Sequence, residues 1–160
     1  MPTLVRDLEI VPDEWTLVDA GDVPDPVAER TILPFEDWLE RRAALPVGRT
    51  GIWVEGDAEA EAIGPHAPDL ALIAVRFPAF ADGRGLSLGA LLRTRYGFEG
   101  ELRAYGDILP DLAQYLHRSG FDAFVLADRR SAEVAIASVG SITDHYQASV
   151  RQPAPAFRRR

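Results

Sequence analysis

From Gly51 onward, short apolar runs alternate with stretches of helical periodicity, and no other feature of the chain restricts its fold as much. The runs are Ile52–Val54, Leu70–Val75, Leu102–Tyr105 and Phe121–Leu126. Each is too short for a buried helix, and the spacing between them leaves room for one helix per gap. That grammar predicts βα units and a mainly parallel sheet.

The first helix is expected from Pro34, with Phe35, Trp38, Leu39 and Leu45 sharing one face before Pro46 and Gly48 end it. A second begins near Ser87 as N-cap, stacks Leu88, Leu91, Leu92 and Tyr96, and stops at Gly97. A third runs from about Ile108 to Ser119, with Pro110 in its first turn and Gly120 closing it. Ser131 caps a fourth, which carries Val134, Ala135, Ile136 and Val139 and ends near Gly140.

Before this pattern, residues 1–33 hold only short apolar clusters broken by Pro12, Pro24 and Pro26, the composition of an arm or edge element. Residues 34–150 form the α/β domain. Residues 151–160 are a basic, proline-containing tail. The expected architecture is a single α/β domain with a predominantly parallel sheet of about four to five strands flanked by helices, or else an open half-barrel of βα units.

Composition narrows the function classes. The chain of 160 residues contains no cysteine, which excludes disulfides, thiolate-held iron–sulfur clusters, a zinc ribbon and a cysteine nucleophile, and fits a reducing compartment. A formal charge of −8 argues against a general nucleic-acid or anionic-membrane binder. No apolar run approaches the ~20 residues of a membrane span, and the first ten residues have no signal-peptide core. A cytoplasmic protein is expected.

Ligands of open α/β sheets gather beyond the carboxyl ends of strands, so the post-strand loops are the place to look for chemistry. The densest is Arg76-Phe77-Pro78-Ala79-Phe80-Ala81-Asp82-Gly83-Arg84-Gly85. Arg76 and Arg84 suit bidentate bonds to a small oxyanion, with Gly83, Gly85, Ser87 and free helix amides completing the cradle; alternatively, Asp82 pairs with an arginine and braces the loop. Asp107, after the next strand, is a candidate general base or a helix cap.

Glu55 and Asp57 after the first strand, and Asp128, Arg129 and Arg130 after the fourth, add polar groups to the same edge. Gly83, Gly85 and Gly89 resemble a dinucleotide-binding loop, but the third glycine is one position late and Arg84 intrudes in the turn. His66, His117 and His145 lack metal-ligand spacing, and no serine sits in a nucleophile elbow. The residues name no cofactor.

The run from Arg76 to Ser87, with Leu91-Leu92-Arg93, Arg95-Tyr96-Gly97, Gly100-Glu101-Leu102-Arg103-Ala104, Gly106-Asp107, Gly120-Phe121-Asp122-Ala123-Phe124 and Tyr146-Gln147, resembles a bacterial family of unknown function. Its members are described as oxidoreductases involved in sulfite reduction and are typically encoded near the haemoprotein subunit of assimilatory sulfite or nitrite reductase. The resemblance covers roughly residues 33–147 and departs from the family pattern at Tyr105, Pro110 and Gln114-Tyr115. It implies an accessory or partner protein of sulfite reduction, with that haemoprotein as partner. An enzyme acting on a small anionic substrate through Asp107 or a cofactor-dependent oxidoreductase, and a purely structural interaction adaptor, are the alternatives.

Overall fold

Five strands, β4 (Thr31–Pro34), β5 (Gly51–Glu55), β6 (Leu72–Phe77), β7 (Glu101–Gly106) and β8 (Ala123–Leu126), lie side by side in chain order, each parallel to the next. The computed structural model describes residues 1–78 and 83–140. The connecting helices are α1 (Phe35–Arg41), α2 (Ala60–Ile63), α3 (Arg84–Thr94) and α4 (Ala113–Arg118), followed after β8 by α5 (Arg129–Gly140). An order that never doubles back, joined by crossovers of one hand, puts all the connecting helices on a single face.

The segment expected to be an arm or edge element supplies the sheet's edges. β1 (Thr3–Arg6) adds antiparallel to β8 and β2 (Glu9–Val11) antiparallel to β1, while β3 (Thr16–Leu17) pairs parallel with β4 at the opposite edge. The result is an eight-stranded mixed sheet in the order β2-β1-β8-β7-β6-β5-β4-β3. The expected parallel pairing therefore holds from β3 to β8 and fails at β1 and β2. Chain reversal near Asp7 and Leu8, both at positive φ, makes a hairpin that no apolar alternation announced.

The sheet is an open, curled half-barrel, and its connectivity requires the curl. Eight strands laid flat would separate the outer two by roughly 34 Å at ~4.8 Å per gap. Yet β2 and β3 are joined by residues 12–15 alone, so Val11 and Thr16 lie within about 18 Å, the reach of five extended residues. This strap crosses the face opposite the helices, where Asp13 bonds Arg103 at 3.0 Å and the Trp53 indole N–H donates to the Val18 carbonyl at 2.9 Å. A chord across a curved sheet lies on its concave side, so the helices clothe the convex side.

Strand parity divides the core accordingly. Ile52, Val54, Ile73, Val75, Phe77, Leu102, Ala104, Phe124 and Leu126 face the helices and form the main cluster. Ile32, Leu72 and Ala74 face inward, covered by Trp15, Trp53 and Tyr105. Beneath α3, Phe121 and Phe77 meet edge to face at 5.8 Å. At the start of β7, Asp122 accepts the Leu102 N–H at 2.8 Å and stands 3.4 Å from Arg93, while burial holds its carboxyl above the ordinary range.

Two expected caps are corrected. α3 begins at Arg84 behind Gly83, so Ser87 lies inside the helix and caps nothing. α5 begins at Arg129, where Asp128 rather than Ser131 accepts at the N-terminus: the Ser131 amide donates to it at 2.7 Å, and those bonds hold its carboxyl below the usual range.

Candidate functional site

The carboxyl ends of β5, β6 and β7 build the candidate site, and parity decides what each one shows. Glu55, Arg76 and Tyr105 are register partners on three adjacent strands and stand in one row on the concave face. Arg76 donates to Glu55 at 3.0 Å, with both side chains nearly half exposed. Tyr105 is half-buried, and that burial pushes its hydroxyl pKa far up, against the nearby Arg76 guanidinium and with Glu55 and Asp19 reinforcing the rise. The phenol consequently keeps its proton and can serve as a hydrogen-bond donor.

The other side of the rim is a groove of about 600 Å³ between the segment after β5 and the first turns of α3. Gly56, Asp57, Ala58, Glu59, Ala60 and Glu61 form one wall; Gly83, Arg84, Ser87, Leu88 and Leu91 form the other. Close backbone approach sets its depth: a Cβ on Gly56 would stand 3.3 Å from the Cα and N of Gly85. Gly85 itself is buried, because the Phe77 ring occupies the space of its missing side chain.

The sequence-predicted residues therefore separate. Gly83, Arg84 and Ser87 line the groove and are exposed. Arg76 is on the concave side, one strand position from Phe77, which faces the helices. Arg84 approaches Asp57 at 3.9 Å, so the two arginines answer different carboxylates, Glu55 at the end of β5 and Asp57 just beyond it. Asp107 is exposed at the end of β7, its N–H bonded to the Phe77 carbonyl at 2.7 Å, and it does not line the groove. Asp82 lies outside the described residues, as do Tyr146 and Gln147.

Sequence reasoning missed Glu59 and Glu61 on the groove wall, and Tyr105, Arg103 and Asp13 on the concave face. A signal for the first two was available. Glu55-Gly56-Asp57-Ala58-Glu59-Ala60-Glu61 alternates acids with small residues, and small residues are what a close-packed groove wall requires. Arginines answer most of these acids: besides the two pairs above, Arg95 meets Glu61 at 3.1 Å, whereas Glu59 enters no ion pair among the described residues.

Among the described residues, no three His, Asp or Glu side chains gather to hold a metal ion, and no helix is long and apolar enough to cross a membrane. A family profile described as a bacterial protein of unknown function (DUF934) matches residues 51–157, from β5 to beyond α5. No curated protein and no solved structure matches the chain.

Proposed function

We propose, from the premise that this chain belongs to that bacterial family of unknown function, that it is a cytoplasmic accessory protein which docks on the haemoprotein of assimilatory sulfite or nitrite reductase through its strand-end rim. The observation that carries this reading is the form of the rim, an open groove walled by exposed charges with Leu91 accessible at its side. An open rim that combines exposed charges with an accessible apolar strip suits a protein partner. The reductase itself enters through the resemblance of Arg76–Ser87 and the segments after it to proteins linked to sulfite reduction.

Affinity purification from the native host, grown with sulfate as sole sulfur source, tests the proposal. The haemoprotein is expected among the bound proteins, and its recovery should fall when Leu91 is replaced by aspartate. Its absence from the bound fraction under growth on sulfate removes the reading.

A small oxyanion remains a second reading because the concave row offers two donors together. Arg76 has guanidinium N–H groups beyond the one bonded to Glu55, and the protonated Tyr105 hydroxyl is next in the row. Sulfite and phosphate titrated calorimetrically into Arg76→Ala and Arg84→Ala distinguish the two sides of the rim. Loss of one charged hydrogen bond lowers affinity by about tenfold or more on the side that holds the anion. Affinity unchanged in both variants dismisses the oxyanion.

A further inference from the structure

At the opposite end of the sheet, where β5 and β6 begin, a smaller cup of about 210 Å³ is lined by Trp38, Arg42, Leu45, Pro46, Val47 and Asp69. Local sequence builds it. α1 delivers Trp38 and runs into a single 3₁₀ turn, Arg42–Ala44, after which Pro46 opens a tight turn. The Arg49 N–H donates to the Pro46 carbonyl at 3.4 Å, and Gly48 takes the φ of +72° that such a turn requires. The Gly48 N–H donates to the Asp69 carbonyl at 3.0 Å, which ties the turn to the segment leading into β6 and brings Asp69 to the same cup.

The cup is lined by one cation and one anion that do not pair with each other. Arg42 donates to the His66 Nδ1 at 3.1 Å, and His66 packs edge-on against Trp38 with ring centroids 5.5 Å apart. That contact uses one guanidinium N–H and leaves others for an acceptor, while the aromatic neighbour steadies the imidazole that orients Arg42. Asp69 enters no ion pair among the described residues. Leu45, Pro46 and Val47 add apolar surface over the buried Trp38.

A lone carboxylate in this cup meets Asp69 as a like charge, and a lone amine meets Arg42 in the same way. A molecule that carries both groups satisfies each with its opposite. Volume sets the scale: 210 Å³ holds roughly seven waters at ~30 Å³ each and falls below the roughly 300–1,000 Å³ of sites for drug-sized ligands. We infer that this cup binds a free α-amino acid with a small aliphatic side chain, its carboxylate on Arg42, its ammonium on Asp69 and its side chain against Leu45 and Val47. A peptide terminus does not match, since it carries only one of the two charges. The inference rests neither on the strand-end rim nor on the partner proposed for it.

Titration of L-leucine into the full, isotope-labelled chain tests the site. Saturable shifts are expected at the amides of Val47 and Gly48 and at the Trp38 indole N–H, with Ser87 and Asp107 at the other end of the sheet unmoved. Arg42→Gln and Asp69→Asn should each weaken binding about tenfold or more, the effect of losing one charged hydrogen bond. Isocaproate, which is leucine without its amine, and isoamylamine, which is leucine without its carboxylate, should bind more weakly by a similar factor. Both substituted side chains are at least partly exposed, so unchanged signals elsewhere report an intact fold. The two analogues act on the parent chain, so their arm stands even where a substitution disturbs folding.

No saturation at these positions by about 10 mM, tenfold above a millimolar Kd, overturns the inference. So does an analogue that binds as tightly as leucine, a loss of affinity in only one variant or in neither, or a set of shifts centred on the rim. None of these outcomes involves the reductase, so failure here and failure of the co-purification are separable.

Discussion

Replacing Arg103 with alanine is expected to destabilise the protein by about 3–5 kcal/mol, the cost of breaking a buried ion pair and leaving the Glu101 carboxylate with only its longer contact to Arg6. Its side chain is 4% exposed in the middle of the concave face. Its guanidinium donates to Asp13 at 3.0 Å and to Glu101 at 2.8 Å, and Arg6 reaches the same Glu101 at 3.4 Å. One cation therefore fixes the strap to β7 and links β7 toward β1. The urea midpoint of Arg103→Ala should fall well below that of the parent, and Arg103→Met combined with Glu101→Gln should recover part of the loss by removing the stranded carboxylate. A loss under about 1 kcal/mol, the range of an exposed pair, would assign the strap's anchorage to Trp15 and Trp53 instead.

Phe121→Ala should cost a similar amount, about 3–5 kcal/mol, by opening a cavity between β8 and α3. The ring is fully buried, meets Phe77 edge-on, and occupies the space where α3 has Gly89 instead of a side chain. This last contact provides an internal control. Gly89→Ala alone overpacks the site and should destabilise by about 1–3 kcal/mol, because its new methyl overlaps the Phe121 ring. In the double variant the methyl projects into the vacated space, so its loss should be smaller than the sum of the two single losses. Additivity in chemical denaturation would mean that helix and ring do not share that space.

Much of the architecture was legible because each parallel strand turns an apolar face to the helices, and β4 and β6 add Ile32, Leu72 and Ala74 on the strap side. All four strand candidates and the four principal helices appear near their expected positions. The edges were not legible. β3 has two residues and β2 three, and such strands owe their existence to the neighbours they pair with, which a local pattern does not encode. The helix start at Arg84 was obscured because a glycine, with no side-chain cap, precedes it.

The site illustrates a different limit. Arg76 and Arg84 are eight positions apart around one post-strand loop, but Arg76 alternates with Phe77, and an apolar Phe77 in the helix-side core obliges Arg76 to face the other way. Parity alone could have separated them once the strand was extended to Phe77. That Glu59 and Glu61 would stand opposite Arg84 depended on the short α2 and on the way Gly56 packs against Gly85, both properties of the assembled rim.

The short span between Val11 and Thr16 makes the curled sheet a hoop, hydrogen-bonded around most of its circumference and closed by covalent chain. Hydrogen bonds can fray gradually, but a peptide link of fixed residue count cannot stretch, so the hoop's aperture is written into the sequence as a number of residues. Each residue inserted there would let the mouth widen by up to about 3.4 Å, and each one removed would tighten it. Bore width in this fold can thus change by insertion or deletion while every strand keeps its own sequence.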